Sequence, residues 1–308
     1  MSVSKRDIIV IILFIALIGF QFFDQLAISL KNSILSQNFG GIRQTRQIPN
    51  LFENMEIEAK SAIVWDAKDN RVLFAKNEHV QLPLASLTKI MTAYVALKAG
   101  GEVATVSKQA VEEEGDSGLL VGEKWNLPDL AKLTLVSSAN DGARSLAASW
   151  VGSGKPEGEA TSFTEAMNAE AKSLGLFQTY FLNETGLDIS EKTAGAYGSA
   201  EDIAKLFYKT VVDYPAIFEA TSRGELTAYS LEHKKHLVKN TNDNVEKITG
   251  IVASKTGFTP LAGGNLVIII DVGINHPIVV SVLGSSSSGR FIDARKLIEG
   301  AVAIISNE

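Results

Sequence analysis

Cysteine is absent from all 308 residues. Disulfides, zinc–cysteine centres, iron–sulfur clusters and a thiol nucleophile are therefore excluded. Histidine is scarce. His79, His233, His236 and His276 are the four, and only His233 and His236 lie close together, in a Glu-His-Lys-Lys-His stretch. That stretch reads as a solvated face without a wider ligand cluster, so no metal and no cofactor are expected. Proline is limited to 7 residues beside 25 glycines, with 45% hydrophobic and 21% charged residues. Collagen-like, low-complexity and disordered chains do not have this composition. A basic surplus is also missing. The net charge is -6 and the pI about 5.4, which argues against a nucleic-acid partner. At roughly 150 residues per domain, the chain holds about two domains' worth of sequence.

Only the amino terminus carries a long hydrophobic run. Lys5 and Arg6 precede apolar residues from Ile8 to Phe23, interrupted by Gly19 and Gln21. Extension to Ile28 reaches membrane-spanning length. The preceding positive residues keep the terminus in the cytoplasm and send the rest outside. Residues 1–30 are thus expected to be a membrane anchor or signal segment, with the uncleaved anchor favoured over cleavage near Ala27-Ile28-Ser29. Residues 31–58 are polar, contain Gly40-Gly41 and Pro49, and read as a linker. Beyond residue 50 there are 24 basic against 33 acidic side chains, so the exported body is acidic.

The body, residues 59–308, begins and ends with strand patterns. Ser61 to Trp65 and Arg71 to Ala75 form one expected hairpin, and Asn265 to Val272 with Pro277 to Leu283 form another. Between them, helical spacing recurs in the segments after Ser86, from Pro128 to Leu135 and from Phe163 to Leu174. A last helix spans Phe291 to Ile305. This order suggests an α/β protein whose sheet is built from both chain ends, with a helical lobe inserted.

Three short motifs carry candidate chemistry. Ser86-Leu-Thr-Lys89 stands at a helix start, where residues three apart share a face and the hydroxyl can meet the amine. A serine needs a base to become a nucleophile, and a deprotonated lysine can serve. The free N–H groups of a helix start would favour developing negative charge there. Ser138-Ala-Asn140 ends another helical stretch, and Lys255-Thr-Gly257 lies on a strand before the second hairpin. Each alone has a plain structural reading: a helix cap with a surface lysine, a polar turn, and an edge strand with a bulge glycine.

Taken in order, the three match the set found in β-lactamases and penicillin-binding proteins. The wider stretches Ser137-Ser-Ala-Asn-Asp141-Gly-Ala, Asn183-Glu-Thr-Gly-Leu187-Asp, Tyr197-Gly-Ser-Ala-Glu-Asp202 and Lys255-Thr-Gly-Phe-Thr259-Pro-Leu-Ala-Gly263 closely resemble serine-type D-alanyl-D-alanine carboxypeptidases, the low-molecular-mass penicillin-binding proteins. The resemblance runs from about Ala59 to the C-terminus. It implies the penicillin-recognising serine transferase fold, with an antiparallel sheet, an inserted helical lobe and the three motifs around the cleft between them. It implies Ser86 as acylated nucleophile, Lys89 as general base, Ser138 as proton relay and Asn140 as holder of the substrate amide. Lys255 closes the cleft. Thr256, Gly257, Phe258 and Arg290 bind substrate: Thr256 and Arg290 at its carboxylate, and Phe258 through its backbone N–H, which forms an oxyanion hole with that of Ser86. Two lysines converging on one cleft, with burial added, should leave Lys89 neutral often enough to act as a base.

The implied substrate is a peptidoglycan stem peptide ending in D-Ala-D-Ala, and β-lactams are the implied covalent inhibitors. The implied location is extracytoplasmic, attached to the membrane by the N-terminal segment. Ala139 departs from the glycine common at that place. The C-terminal β-rich domain and amphipathic helix of many relatives do not fit after Ile305, so the N-terminal segment is expected to anchor the enzyme instead. Two other reactions suit the same motifs. A D,D-endopeptidase uses the same site. A class A-like β-lactamase needs a further glutamate, for which Glu165-Ala-Met-Asn168 is the one similarly spaced candidate, inside a helical pattern. A catalytically dead wall-binding homologue would not need the intact set of Ser86, Lys89, Ser138, Asn140 and Lys255.

Overall fold

Strands from the two ends of the body pair directly with each other. The computed structural model of the chain describes residues 52–115, 117–152 and 160–307. Its strands are β1 (Ser61–Asp66), β2 (Arg71–Lys76), β3 (Glu225–Tyr229), β4 (Lys235–Lys239), β5 (Ile251–Thr259), β6 (Gly263–Asp271) and β7 (Pro277–Ser285), besides a few shorter bridges. Five make one antiparallel sheet in the order β5-β6-β7-β1-β2, while β3 and β4 form a separate hairpin. The chain ends meet where β1 pairs with β7, in register from Ser61 opposite Leu283 to Asp66 opposite Ile278.

Six longer helices complete the described body: α1 (Thr88–Lys98), α2 (Leu127–Ser137), α3 (Asn140–Gly152), α4 (Phe163–Ser173), α5 (Ala200–Asp213) and α6 (Gly289–Ile305). The sheet is covered on both faces. Alternate residues Val64, Leu266, Ile268, Ile270, Val280 and Val282 pack with Leu297 and Ala301 of α6. Ile63, Val267, Ile269 and Val279 join the core shared with α1, α2 and α5. Burial on both faces explains the apolar runs Leu266–Ile270 of β6 and Ile278–Val280 of β7, which do not alternate with polar residues.

Residues 52–58, the expected end of the linker, pack onto the body. The Phe52 ring is buried 5.2 Å from that of Phe74, and Asp293 accepts from the N–H groups of Glu58 (3.1 Å) and Ala59 (2.8 Å). Their partners on α6 come from the far end of the chain, where local composition gives no sign of them. Among the described residues no helix is long and apolar enough to cross a membrane. The expected anchor from Ile8 to Ile28, and residues 31–51 of the expected linker, lie outside the described residues.

The Glu-His-Lys-Lys-His stretch is not wholly a solvated face. Strand β4 turns Lys235, Leu237 and Lys239 outward and His236 and Val238 inward, as a two-residue period requires. His236 Nε2 lies 2.9 Å from Glu123 Oε1, and its ring meets Trp125 edge-on at 5.0 Å.

Candidate active site

The segment carrying Ser86 is clamped before the helix begins. Ala85–Leu87 forms a single 3-10 turn leading into α1, and Ala85 takes a left-handed φ of 48°. Such a conformation is costly for a residue with a Cβ and persists only where surrounding contacts enforce it. Asn265, fully buried on β6, enforces it from the sheet: its Nδ2 donates to the carbonyls of Pro83 (2.9 Å) and Leu84 (3.0 Å), and its Oδ1 accepts from Gly284 N–H at 2.8 Å. Gly257 of β5 passes so close that a Cβ there would stand 2.9 Å from the Leu84 carbonyl and 3.1 Å from the Ser86 nitrogen. The backbone of β5 can therefore flank the Ser86 N–H only because residue 257 is glycine.

The spacing argument for Ser86 and Lys89 holds. Lys89 Nζ is 3.0 Å from Ser86 Oγ, 2.6 Å from Asn140 Oδ1 and 2.7 Å from the Thr185 carbonyl. Two of these partners can only accept, whereas a hydroxyl can also donate. A neutral amine fits the set: two N–H bonds to Asn140 and Thr185, and a lone pair for the proton of Ser86. The Lys89 side chain is fully buried, and this burial pulls its pKa down to about 7. Asp141, Glu113 and Glu184 oppose the shift. Desolvation, which sequence reasoning treated as an addition to repulsion between lysines, is thus the leading cause.

Ser138 and Asn140 straddle a helix junction. The C-terminal end of α2 closes with Ser138 in the left-handed region, φ 60°, and Asn140 opens α3. Asn140 Oδ1 accepts from Lys89, while its Nδ2 donates to the Glu114 carbonyl at 2.6 Å. Lys255, buried on edge strand β5, donates to Ser138 Oγ and to the Thr256 carbonyl, both at 2.8 Å. Burial holds its pKa well below the usual lysine range, and positive charge on Lys89 and Arg290 adds to the effect. Thr256 Oγ1 lies 2.6 Å from Thr241 Oγ1, and the Phe258 side chain is exposed.

Arg290, at the start of α6, is held inside the fold. It is only 9% exposed, its guanidinium carbon lies 4.8 Å from the centre of the Phe291 ring, and Nη1 donates to the Gly257 carbonyl at 2.7 Å. Its Nε is buried without a hydrogen-bond partner among the described residues. Arg290 thus braces the strand that flanks Ser86.

Sequence reasoning missed five contributors. Asn265 was read only as the start of an apolar strand, although a lone amide in such a run is itself a signal of a buried clamp. Thr185 supplies a carbonyl to Lys89 from the Asn183–Asp188 loop. Glu184 and Glu113 both bind Arg144, the former at 2.8 Å, and their charge acts on Lys89. Asp188, on the same loop, accepts from Thr259 Oγ1 of β5 at 2.9 Å.

The glutamate considered for a β-lactamase is engaged elsewhere. Glu165 Oε2 accepts from Thr161 N–H (2.7 Å) and Oγ1 (2.6 Å), and the Asn168 amide pairs with the backbone of Phe181. One group of three among the described residues brings its carboxylate and imidazole atoms within 4.8 Å of one another: Asp66, Asp69 and His276, at the turns of the two hairpins. There His276 Nε2 lies 3.0 Å from Asp66 Oδ1 and Arg71 lies 3.5 Å from Oδ2, so the Asp66 carboxylate is already engaged within the fold. A cavity of about 560 Å³ behind the sheet is lined mainly by aliphatic residues of β6 and α6 and holds none of the motif side chains. A cavity of about 300 Å³ is lined by the middle motif, Ser138, Ala139 and Asn140, together with Leu237, Val238 and Lys239 of β4.

Comparisons with known proteins agree with this geometry. A family model described as D-alanyl-D-alanine carboxypeptidase matches residues 45–287. The chain is 31% identical over 256 residues to the D-alanyl-D-alanine endopeptidase of Escherichia coli, covering 79% of this chain and 76% of that protein. It is 31% identical over 258 residues to the D-alanyl-D-alanine carboxypeptidase DacD of Salmonella typhimurium, covering 79% and 62%. Among solved structures, a Listeria monocytogenes penicillin-binding protein with cefotaxime bound superposes with a TM-score of 0.67 at 28% identity, covering 82% of this chain and 99% of that one. A Mycobacterium tuberculosis D-alanyl-D-alanine carboxypeptidase gives 0.69 at 22% identity, covering 81% and 92%, and shares the fold.

Proposed function

Because the chain belongs to the D-alanyl-D-alanine carboxypeptidase family, we propose that it removes the terminal D-alanine of peptidoglycan stem peptides through an acyl-enzyme on Ser86. Neutral Lys89 takes the Ser86 proton as Oγ attacks the penultimate D-Ala carbonyl. The tetrahedral oxygen is held by the N–H groups of Ser86 and Phe258. The leaving D-alanine amine takes a proton relayed through Ser138, beside Lys255. Water then hydrolyses the ester and returns the proton to Ser86. A β-lactam follows the same first step, but its leaving nitrogen stays tethered and the adduct persists. The observation that carries the reading is the contact of Lys89 Nζ with Ser86 Oγ, made while two obligate acceptors occupy the amine's other positions.

Incubation with a stem pentapeptide tests the reading. Loss of one D-alanine by mass is expected, and an unchanged pentapeptide would exclude the activity. Endopeptidase action on cross-linked stems is the second reading. It is favoured by the endopeptidase relatives, of which the chain covers 76%, against about 62% of the carboxypeptidase DacD. A cross-linked dimer cleaved faster than the pentapeptide loses D-alanine would make it the main one.

In this reading residues 59–308 are the catalytic body, working outside the cytoplasm on the segment from Ile8 to Ile28 as its anchor, with 31–58 between. Fractionation should leave the intact chain with membranes. A soluble protein whose N-terminus begins near Leu30 would show cleavage instead.

Arg290 has two parts in this scheme. It braces β5 through the Gly257 carbonyl, and its remaining donors are offered to the substrate carboxylate, which a planar guanidinium binds well. Arg290→Ala is expected to lower kcat/KM for D-alanine release by about 10- to 200-fold, the loss of a charge-assisted bond. On a substrate with an amidated C-terminus the penalty should be much smaller. Equal penalties would leave Arg290 the bracing part alone.

A further inference from the structure

We propose that the cleft carries a second anion site, on Lys239, for a carboxylate of the stem peptide on the acyl side of the scissile bond. The proposal rests on the D-alanyl-D-alanine reading and names the kind of stem the site prefers. Lys239 lies on the wall of the 300 Å³ cavity that Ser138 and Asn140 line. The alternation of β4 turns Leu237 and Lys239 outward on the same side, while His236 and Val238 hold the strand to the body. Leu237 and Lys239 thus pair an apolar surface with an ammonium at the cavity. The remaining lining, Ser117, Ser137 and Ser138 among it, is neutral.

The charge of Lys239 is not used inside the protein. Among the described residues no carboxylate forms an ion pair with it and no hydrogen bond engages its Nζ, although Glu225 stands opposite on β3. The contrast with neighbouring charges is instructive. Arg144 is bound by Glu113 and Glu184, while Lys89 and Lys255 are buried and hydrogen-bonded. Asp141, next in the chain to the lining residue Asn140, accepts from Ser117 Oγ at 2.6 Å. A free cation at the rim of an otherwise neutral pocket, in a protein of net charge -6, marks where a negative group would settle. The C-terminal carboxylate of the substrate is assigned to Thr256 of β5 and Arg290 of α6. The Lys239 cavity is a different part of the cleft, lined by the residue that holds the substrate amide, so its partner belongs to the upstream part of the stem.

The test is a ratio. D-Alanine release by the full chain is measured on two pentapeptide stems that differ only in whether an upstream side-chain or α-carboxylate is free or amidated. Wild type is expected to prefer the free carboxylate by about 5-fold in kcat/KM, mainly through KM, and less at high salt, since an exposed pair is screened. Lys239→Gln should bring the ratio to within about 2-fold, Lys239→Glu should reverse it, and Lys239→Arg should preserve it. Fluorescent-penicillin acylation confirms that each variant keeps its fold. An unchanged ratio in Lys239→Gln, or no preference in wild type, overturns the site. Failure of wild type to release D-alanine from either stem would overturn the underlying reading, and this site with it.

Discussion

Ser86→Ala should abolish D-alanine release and penicillin labelling together, a loss of about 10⁵-fold or more, in a protein that stays folded. Removal of a nucleophile leaves only the catalysis due to binding and to the oxyanion donors. Survival of the fold is expected because, among the described residues, the Ser86 side chain is hydrogen-bonded only to Lys89 Nζ, and its backbone is held by Asn265 and β5 whatever the side chain. Circular dichroism and thermal unfolding check the fold, and gel fluorescence checks the label. Labelling that persists in the variant, or that maps to Ser138, would mean the nucleophile has been misassigned.

Lys89→Arg should be nearly as damaging, about 10³- to 10⁴-fold in acylation rate, the upper part of what a general base contributes. Arginine keeps the positive charge but cannot give up its proton near neutral pH. The same cause predicts the pH dependence. Lys89 acts as a base only when deprotonated, and burial brings its pKa to about 7. Acylation should therefore rise with pH through about 7 and fall toward a tenfold loss per unit on the acid side. Lys255→Arg should retain more activity than Lys89→Arg, because Lys255 contributes a donor to Ser138 and need not accept a proton. Equal tolerance of arginine at both positions, or an acylation rate flat between pH 5 and 8, would remove Lys89 from the role of base.

What the sequence made legible was whatever depends on near neighbours. The contact between Ser86 and Lys89 needs only three-residue spacing at a helix start. The hairpins of β1 with β2 and β6 with β7 need only two apolar runs and a turn. Meeting of the chain ends could be inferred from strands at both ends of the body, and β1 paired with β7 realises it. What escaped notice depends on distant partners. Helix α1 is buried from Thr88 to Ala96 because the Asn183–Asp188 loop covers its polar positions: Thr92 Oγ1 donates to the Glu184 carbonyl at 2.7 Å, and Lys89 to that of Thr185. The enclosure that depresses Lys89 therefore comes from a segment almost a hundred residues away. The sequence pointed Arg290 at the substrate carboxylate but gave no sign of its bond to the Gly257 carbonyl, which lies on β5. Asn265 shows the same limit. Its amide bridges the segment before Ser86 and the end of β7, which the local pattern treats as unrelated.

The central claim is that Ser86 becomes esterified by the stem peptide while D-alanine leaves. Its most direct test is acid quenching of the full chain with a stem pentapeptide during the first turnover, followed by digestion and mass measurement of the fragment that contains Ser86. The account predicts a tetrapeptidyl ester on Ser86 that appears with one equivalent of D-alanine and disappears as free tetrapeptide forms. An ester on Ser138, or on any residue other than Ser86, would contradict it.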